Sequence, residues 1–82
     1  MSLSKRIKNE REFEYWEEAS DNGRKYWFDV IGKSGGFARY VKYVDAGEVT
    51  ISFVQEIYDR FGVLKEIHEK YPIDKGHIKQ GE

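Results

Sequence analysis

The sequence predicts an α+β domain that is mainly β, a five-stranded antiparallel meander with a short N-terminal helix or arm. Three observations predict it. Four turn signals punctuate the middle of the chain: Asp21-Asn22-Gly23, Ser34-Gly35-Gly36, Asp45-Ala46-Gly47 and Asp59-Arg60-Phe61-Gly62. Regular turns of this kind join consecutive hairpins. The segments between them have the length of ordinary strands. Finally, aromatic residues make up 16% of the chain, a load that favours a folded domain over a disordered one.

Taken in order, Ser4 to Glu10 reads as a short, weakly amphipathic helix with Leu3 and Ile7 as its apolar contacts. Arg11 to Ala19 reads as an edge strand, with Phe13 and Tyr15 on one face and Trp16 among glutamates on the other. Those glutamates discourage edge-to-edge pairing. Lys25 to Ile31 and Phe37 to Val44 are rich in aromatic and β-branched residues. Val49 to Tyr58 alternates, with Val49, Ile51, Phe53 and Ile57 facing one way and Thr50, Ser52 and Glu56 the other, the period of a half-buried strand. Gly23, Gly47 and Gly62 are expected at positive φ, the first in a type I′ turn and the last closing a type I turn.

Residues 63–71 admit two readings. As a strand the segment completes the hairpin that turns at Gly62. As a helix it places Leu64, Ile67, His68 and Tyr71 on one stripe, with Pro72 as its stop, and the fold becomes four strands plus a C-terminal helix. The well-formed preceding turn favours the strand. From Ile73 to Glu82 the chain is polar, contains Gly76 and Gly81, and is expected to be a mobile tail.

The totals bound the possibilities. With 82 residues the chain makes a single domain spanning 1–82, and a domain this small buries only about 60–65% of its unfolded surface. Cysteine is absent, which removes disulfides, thiolate metal sites and a cysteine nucleophile. Fourteen basic and fifteen acidic residues leave a net charge of −1, which argues against bulk electrostatic binding to nucleic acid. No apolar run approaches the length of a membrane span. The N-terminus lacks the apolar stretch of a signal peptide, so a cytoplasmic location is expected.

Chemistry-bearing residues concentrate near the C-terminus, where Glu66, His68, Glu69, Asp74 and His77 lie close in sequence. Imidazoles beside carboxylates suit a divalent metal or acid–base cleavage of a phosphodiester. The catalytic candidates are His68, His77, Glu66 and Asp74. Their spacing matches no metal motif, and no metal or cofactor is assigned. The plainer reading makes His68 a partly buried sheet residue and leaves His77 on the tail.

A second set, Arg24, Lys25, Lys33, Arg39 and Lys42, is interleaved with Tyr26, Trp27, Phe37, Tyr40 and Tyr43. Cations beside aromatic residues on a sheet are how single-stranded nucleic acid is stacked and steered. Against this, Glu10 to Asp21 carries six acids and one arginine, so cross-strand ion pairs should absorb much of the positive charge. Gly32-Lys33-Ser34 lacks the upstream glycine of a phosphate-binding loop. Ser34 and Ser52 have no triad partners at a recognisable spacing.

Tyr58-Asp59-x-x-Gly62, His68 and the closing Pro72 to His77 together make the C-terminal third resemble the TumE-type toxins of prokaryotic toxin–antitoxin pairs, small proteins that act on RNA. That resemblance implies a ribonuclease using His68 and His77. The family's paired histidines and Asp-Asn-x-x-His stretch have no counterpart in the chain.

Two functions are therefore expected: a non-enzymatic module that binds another protein or its own copy, or a small RNA-acting protein. Apolar residues on both faces of the sheet favour the first. Trp27 and Ile31 oppose Tyr26, Phe28 and Val30, while Val54 and Tyr58 oppose Ile51, Phe53 and Ile57. With only a short segment available to cover either face, the chain should form a homodimer or close into a barrel.

Overall fold

The computed structural model describes residues 3–72 and the backbone of 76–79. Helix α1 (Leu3–Glu12) leads into six strands: β1 (Tyr15–Glu18), β2 (Arg24–Ile31), β3 (Phe37–Val44), β4 (Thr50–Tyr58), β5 (Leu64–Tyr71) and β6 (Gly76–Lys79). They form a single open sheet in sequence order, every neighbouring pair antiparallel. The five expected strands are all present, and residues 63–71 extend rather than coil. Short connections explain the topology, because antiparallel neighbours are the pairs that tight turns can join.

Several details depart from the sequence reading. Within the segment expected to be a mobile tail, residues 76–79 pair with β5 as β6; the rest of that segment lies outside the described residues. Pairing here rests on backbone groups along the open edge of β5, which no apolar alternation in the sequence announces. The N-terminal helix runs two residues past Glu10 and shortens the edge strand to four residues. Phe13 consequently leaves the strand and plugs the core, on the side of the sheet opposite Tyr15.

Nor does α1 dock through Leu3 and Ile7, which are 63% and 50% exposed. It docks through polar side chains. Asn9 is buried, and Arg6, Asn9 and Glu10 each reach the sheet or its loops. The face beneath carries Arg24, Tyr26 and Phe28 of β2, then Tyr40, Lys42 and Val44 of β3, then Phe53 and Gln55 of β4. Phe13, Tyr26 and Val44 are buried there, with Phe28 and Phe53 packed against them. The Phe13 ring lies 5.9 Å from Tyr26, 5.5 Å from Phe28 and 6.4 Å from Phe53, distances at which tilted and edge-on aromatic contacts are favourable.

The turns use left-handed backbone, at positions other than those expected. In the β1–β2 connection Asp21 and Asn22 take positive φ, 57° and 61°, while Gly23 is extended at −78°. Gly23 is required for a different reason: a Cβ there would run into the Val44 carbonyl oxygen. Gly62 is left-handed as expected, at 79°. In the β3–β4 loop the left-handed residue is Glu48, at 65°, rather than Gly47.

Candidate functional site

One face of the sheet has no second layer among the described residues. Opposite α1, the register aligns Lys25, Trp27 and Asp29 of β2 with Tyr43, Val41 and Arg39 of β3. The row continues into Ser52, Val54 and Glu56 of β4. Val41 at its centre has no exposed surface. Around Val41 the larger residues make flat aromatic contacts. Tyr15 stacks on Trp27 at 5.7 Å, and Phe37 stacks on Tyr58 at 4.6 Å.

The charges on this face are largely answered within it. Arg39 is paired with Asp29 through two hydrogen bonds, at 2.8 and 3.1 Å, and its guanidinium lies over Phe37 and Tyr58. The Asp29 hydrogen bonds outweigh burial and raise the Arg39 pKa, so it stays a cation. Lys25 lies 4.0 Å from Glu17 and 5.2 Å from the Trp27 ring centroid. Burial, reinforced by a hydrogen bond donated to Glu56, pushes the Tyr58 hydroxyl up to about 12. The surface is therefore aromatic, half-buried and nearly neutral, with few cations left over to attract phosphate.

The five basic residues singled out from sequence do not form one patch. Lys25 and Arg39 belong to this face. Arg24 and Lys42 lie on the other, since residues an odd number apart in a strand point to opposite sides, and Lys33 is in the β2–β3 turn. Four of them have close partners: Arg24 with Glu10 at 2.7 Å, Lys25 with Glu17, Arg39 with Asp29, and Lys42 with Asn9 at 2.9 Å. Two of those partners come from the acidic stretch Glu10 to Asp21, as its composition suggests.

The register brings two of the C-terminal candidates together. His68 is directly opposite His77 across the β5–β6 ladder, and Glu66 is opposite Lys79. Directly opposed residues are nearest cross-strand neighbours. Asp74 lies outside the described residues. No group of three or more potential metal ligands occurs among the described residues, and no described helix is long and apolar enough to cross a membrane.

Sequence reasoning missed two features. The Asp29–Arg39 pair was legible in principle, because a hairpin turning at Ser34-Gly35 aligns those positions. The second is the buried carboxylate of Glu48, 3% exposed. It accepts hydrogen bonds from Tyr26 at 2.6 Å, Asn9 at 3.3 Å and Arg6 at 3.3 Å. Burial opposes its ionisation, but these three donors prevail and hold the carboxyl below the ordinary range. Nothing in the local sequence marks a loop glutamate as a core residue. Compared with family models, curated proteins and solved structures, the chain has no match.

Proposed function

We propose that the chain is a non-enzymatic module that associates with a second copy of itself through the sheet face opposite α1. The observation that carries this reading is the half-buried aromatic row Tyr15, Trp27, Tyr43, Phe37 and Tyr58 around Val41, which no second layer covers among the described residues. Its size supports a copy as the occupant. The two longest extents of the molecule, 39 and 23 Å, bound any face at roughly 900 Å² as an upper limit, which leaves room for the ~800 Å² per partner of a standard interface. Its chemistry agrees, because Asp29–Arg39 and Glu17–Lys25 neutralise much of the charge in place and two copies can meet without strong repulsion. Tyrosine and tryptophan are also the residues that dominate interface hot spots.

Light scattering at micromolar concentration tests this. A dimer mass is expected, falling to the monomer mass for Trp27→Glu with the β spectrum kept. A monomer mass for the unaltered protein overturns it.

The second reading, a small RNA-acting protein, is favoured by one observation, the cross-strand His68–His77 register. Two imidazoles on facing positions fit an acid–base pair for phosphodiester cleavage, and that chemistry accords with the TumE-like pattern of the C-terminal third. Cleavage of a single-stranded RNA by the protein, lost in both His68→Ala and His77→Ala, is the expected result. Intact RNA under all conditions removes this reading.

A further inference from the structure

A groove of about 620 Å³ opens on the α1 side of the sheet, between the helix and the β3–β4 loop and β4. That volume is within the range of small-molecule sites, roughly 300–1,000 Å³. Its apolar lining comes from Phe13, Phe53, Tyr71 and Val49. The charged lining is Lys5, Lys8, Lys42, Glu12 and Glu48.

Of these, Lys42 is the cation whose hydrogen bond goes to a neutral group. Its half-buried ammonium donates to the neutral Asn9 Oδ1 at 2.9 Å, and the Asn9 amide in turn donates to Glu48 Oε1 at 3.3 Å. The Glu48 carboxylate is also bound directly by Arg6 at 3.3 Å. Two cations thus share one carboxylate, Arg6 directly and Lys42 only through an amide. Lys8 meets Glu12 at 4.0 Å with both side chains well exposed, a geometry that neutralises little. Among the described residues the Lys42 ammonium, with three donors, has one neutral acceptor and the Phe13 ring at 5.8 Å, and no carboxylate bonded to it directly.

We infer that this groove binds a small organic anion with a ring-sized apolar body, its carboxylate or phosphate meeting Lys42 and its body lying over Phe13, Phe53 and Tyr71. The anion supplies the charge that Glu48 cannot give to both Arg6 and Lys42. The aromatic floor selects a flat body over a bare inorganic ion. This site lies on the opposite side of the sheet from the proposed interface and does not depend on it.

The test is an amide-resolved NMR titration of the whole protein with 2-naphthoate, 2-naphthyl phosphate and neutral 2-naphthol. Saturable shifts at Asn9, Phe13, Phe53 and Tyr71 are expected with at least one anion, at least tenfold tighter than with the naphthol. The stronger anion identifies the head group. Lys42→Met, which keeps the stem over Phe13, should weaken anion binding about tenfold and leave naphthol unchanged. Should that variant misfold, raising the salt concentration on the unaltered protein must weaken the anions alone. Equal binding of naphthol, no saturable shift at these four residues up to millimolar probe, or anion affinity unaffected by both Lys42→Met and salt overturns the inference.

Discussion

Glu48 occupies in the β3–β4 loop the position that Gly62 occupies in the β4–β5 loop. Both loops open on an aspartate whose Oδ1 accepts two backbone N–H bonds: Asp45 from Gly47 and Val49, Asp59 from Phe61 and Val63. In each, the fourth residue donates its N–H to the aspartate carbonyl and takes positive φ, 65° at Glu48 and 79° at Gly62. One loop fills the left-handed position with glycine. The other holds a glutamate there because its side chain is needed in the core.

That comparison predicts a ranking of stabilities. Gly62→Ala meets no atom within 4 Å, so its cost should be the left-handed penalty alone, about 1 kcal/mol. Glu48→Gly relieves the same penalty but leaves Tyr26, Asn9 and Arg6 without their shared acceptor, for a net loss of about 2–3 kcal/mol. Glu48→Ala keeps the strain as well and should fall about 1 kcal/mol below Glu48→Gly. Urea unfolding of the three variants checks the order; an alanine as stable as the glycine at position 48 contradicts it.

Acid should weaken the fold through the same carboxylate. The Glu48 pKa is lowered from its ordinary 4.5 in the folded state, so the unfolded chain takes up the proton first. Its stabilisation is therefore complete above about pH 4.5 and is lost as pH falls through the depressed folded value. Asp59, held low by its backbone N–H bonds from Val63 and Phe61, acts in the same direction from an exposed loop. Thermal melts from pH 7 to pH 3 should show a steep acid limb that Glu48→Gln flattens. An unchanged limb in that variant assigns the acid sensitivity elsewhere.

Two glycines should respond in opposite ways. At Gly23 a methyl group would meet the Val44 backbone oxygen, which cannot move without displacing β3. Gly23→Ala should cost about 2 kcal/mol or more. At Gly47 the nearest atoms are side-chain atoms of Asp45, at 3.4 Å, and Val49, at 4.0 Å, and the backbone is not left-handed. Gly47→Ala should stay within about 0.5 kcal/mol of the parent. Chemical denaturation of both variants decides the matter, and equal losses would show that sheet geometry does not constrain position 23.

These contrasts also show what the sequence could reveal. Strand existence was legible because turn aspartates and glycines mark every connection from β2 to β5, and the alternation from Ser52 to Tyr58 matches the observed register. Which turn residue takes positive φ was not: Asp21 and Asn22 tolerate the left-handed region as readily as the neighbouring glycine is free to leave it, and Glu48 is held there by contacts distant in sequence with Arg6, Asn9 and Tyr26. The bulge between Tyr43 and Val44 leaves Ile51 unpaired and exposed, against the expected alternation. As for the candidate sites, parity alone separates Arg24 and Lys42 from Lys25 and Arg39. The opposition of His68 and His77, by contrast, depends on a strand that no apolar pattern announces.

The edge strand should prove to depend on Arg24 more than on its other side-chain contacts, the Tyr15–Trp27 stack and the exposed Glu17–Lys25 pair. Arg24 donates to Glu10 at 2.7 Å and to the Tyr26 hydroxyl at 3.3 Å, while its guanidinium lies 3.7 Å from the Trp16 ring centroid. It thereby joins α1, β1 and β2 through one planar group. A lysine can offer charge but neither the flat stacking surface nor the forked donors. Arg24→Lys should therefore loosen β1 selectively, with amide exchange at Tyr15 to Glu18 accelerated about tenfold and exchange in β3 and β4 nearly unchanged. Trp16 fluorescence should shift to the red as its ring gains water. Uniform acceleration across the sheet would instead place Arg24 in the global core, and no acceleration would mean that backbone pairing and the Tyr15–Trp27 and Glu17–Lys25 contacts hold the edge without it.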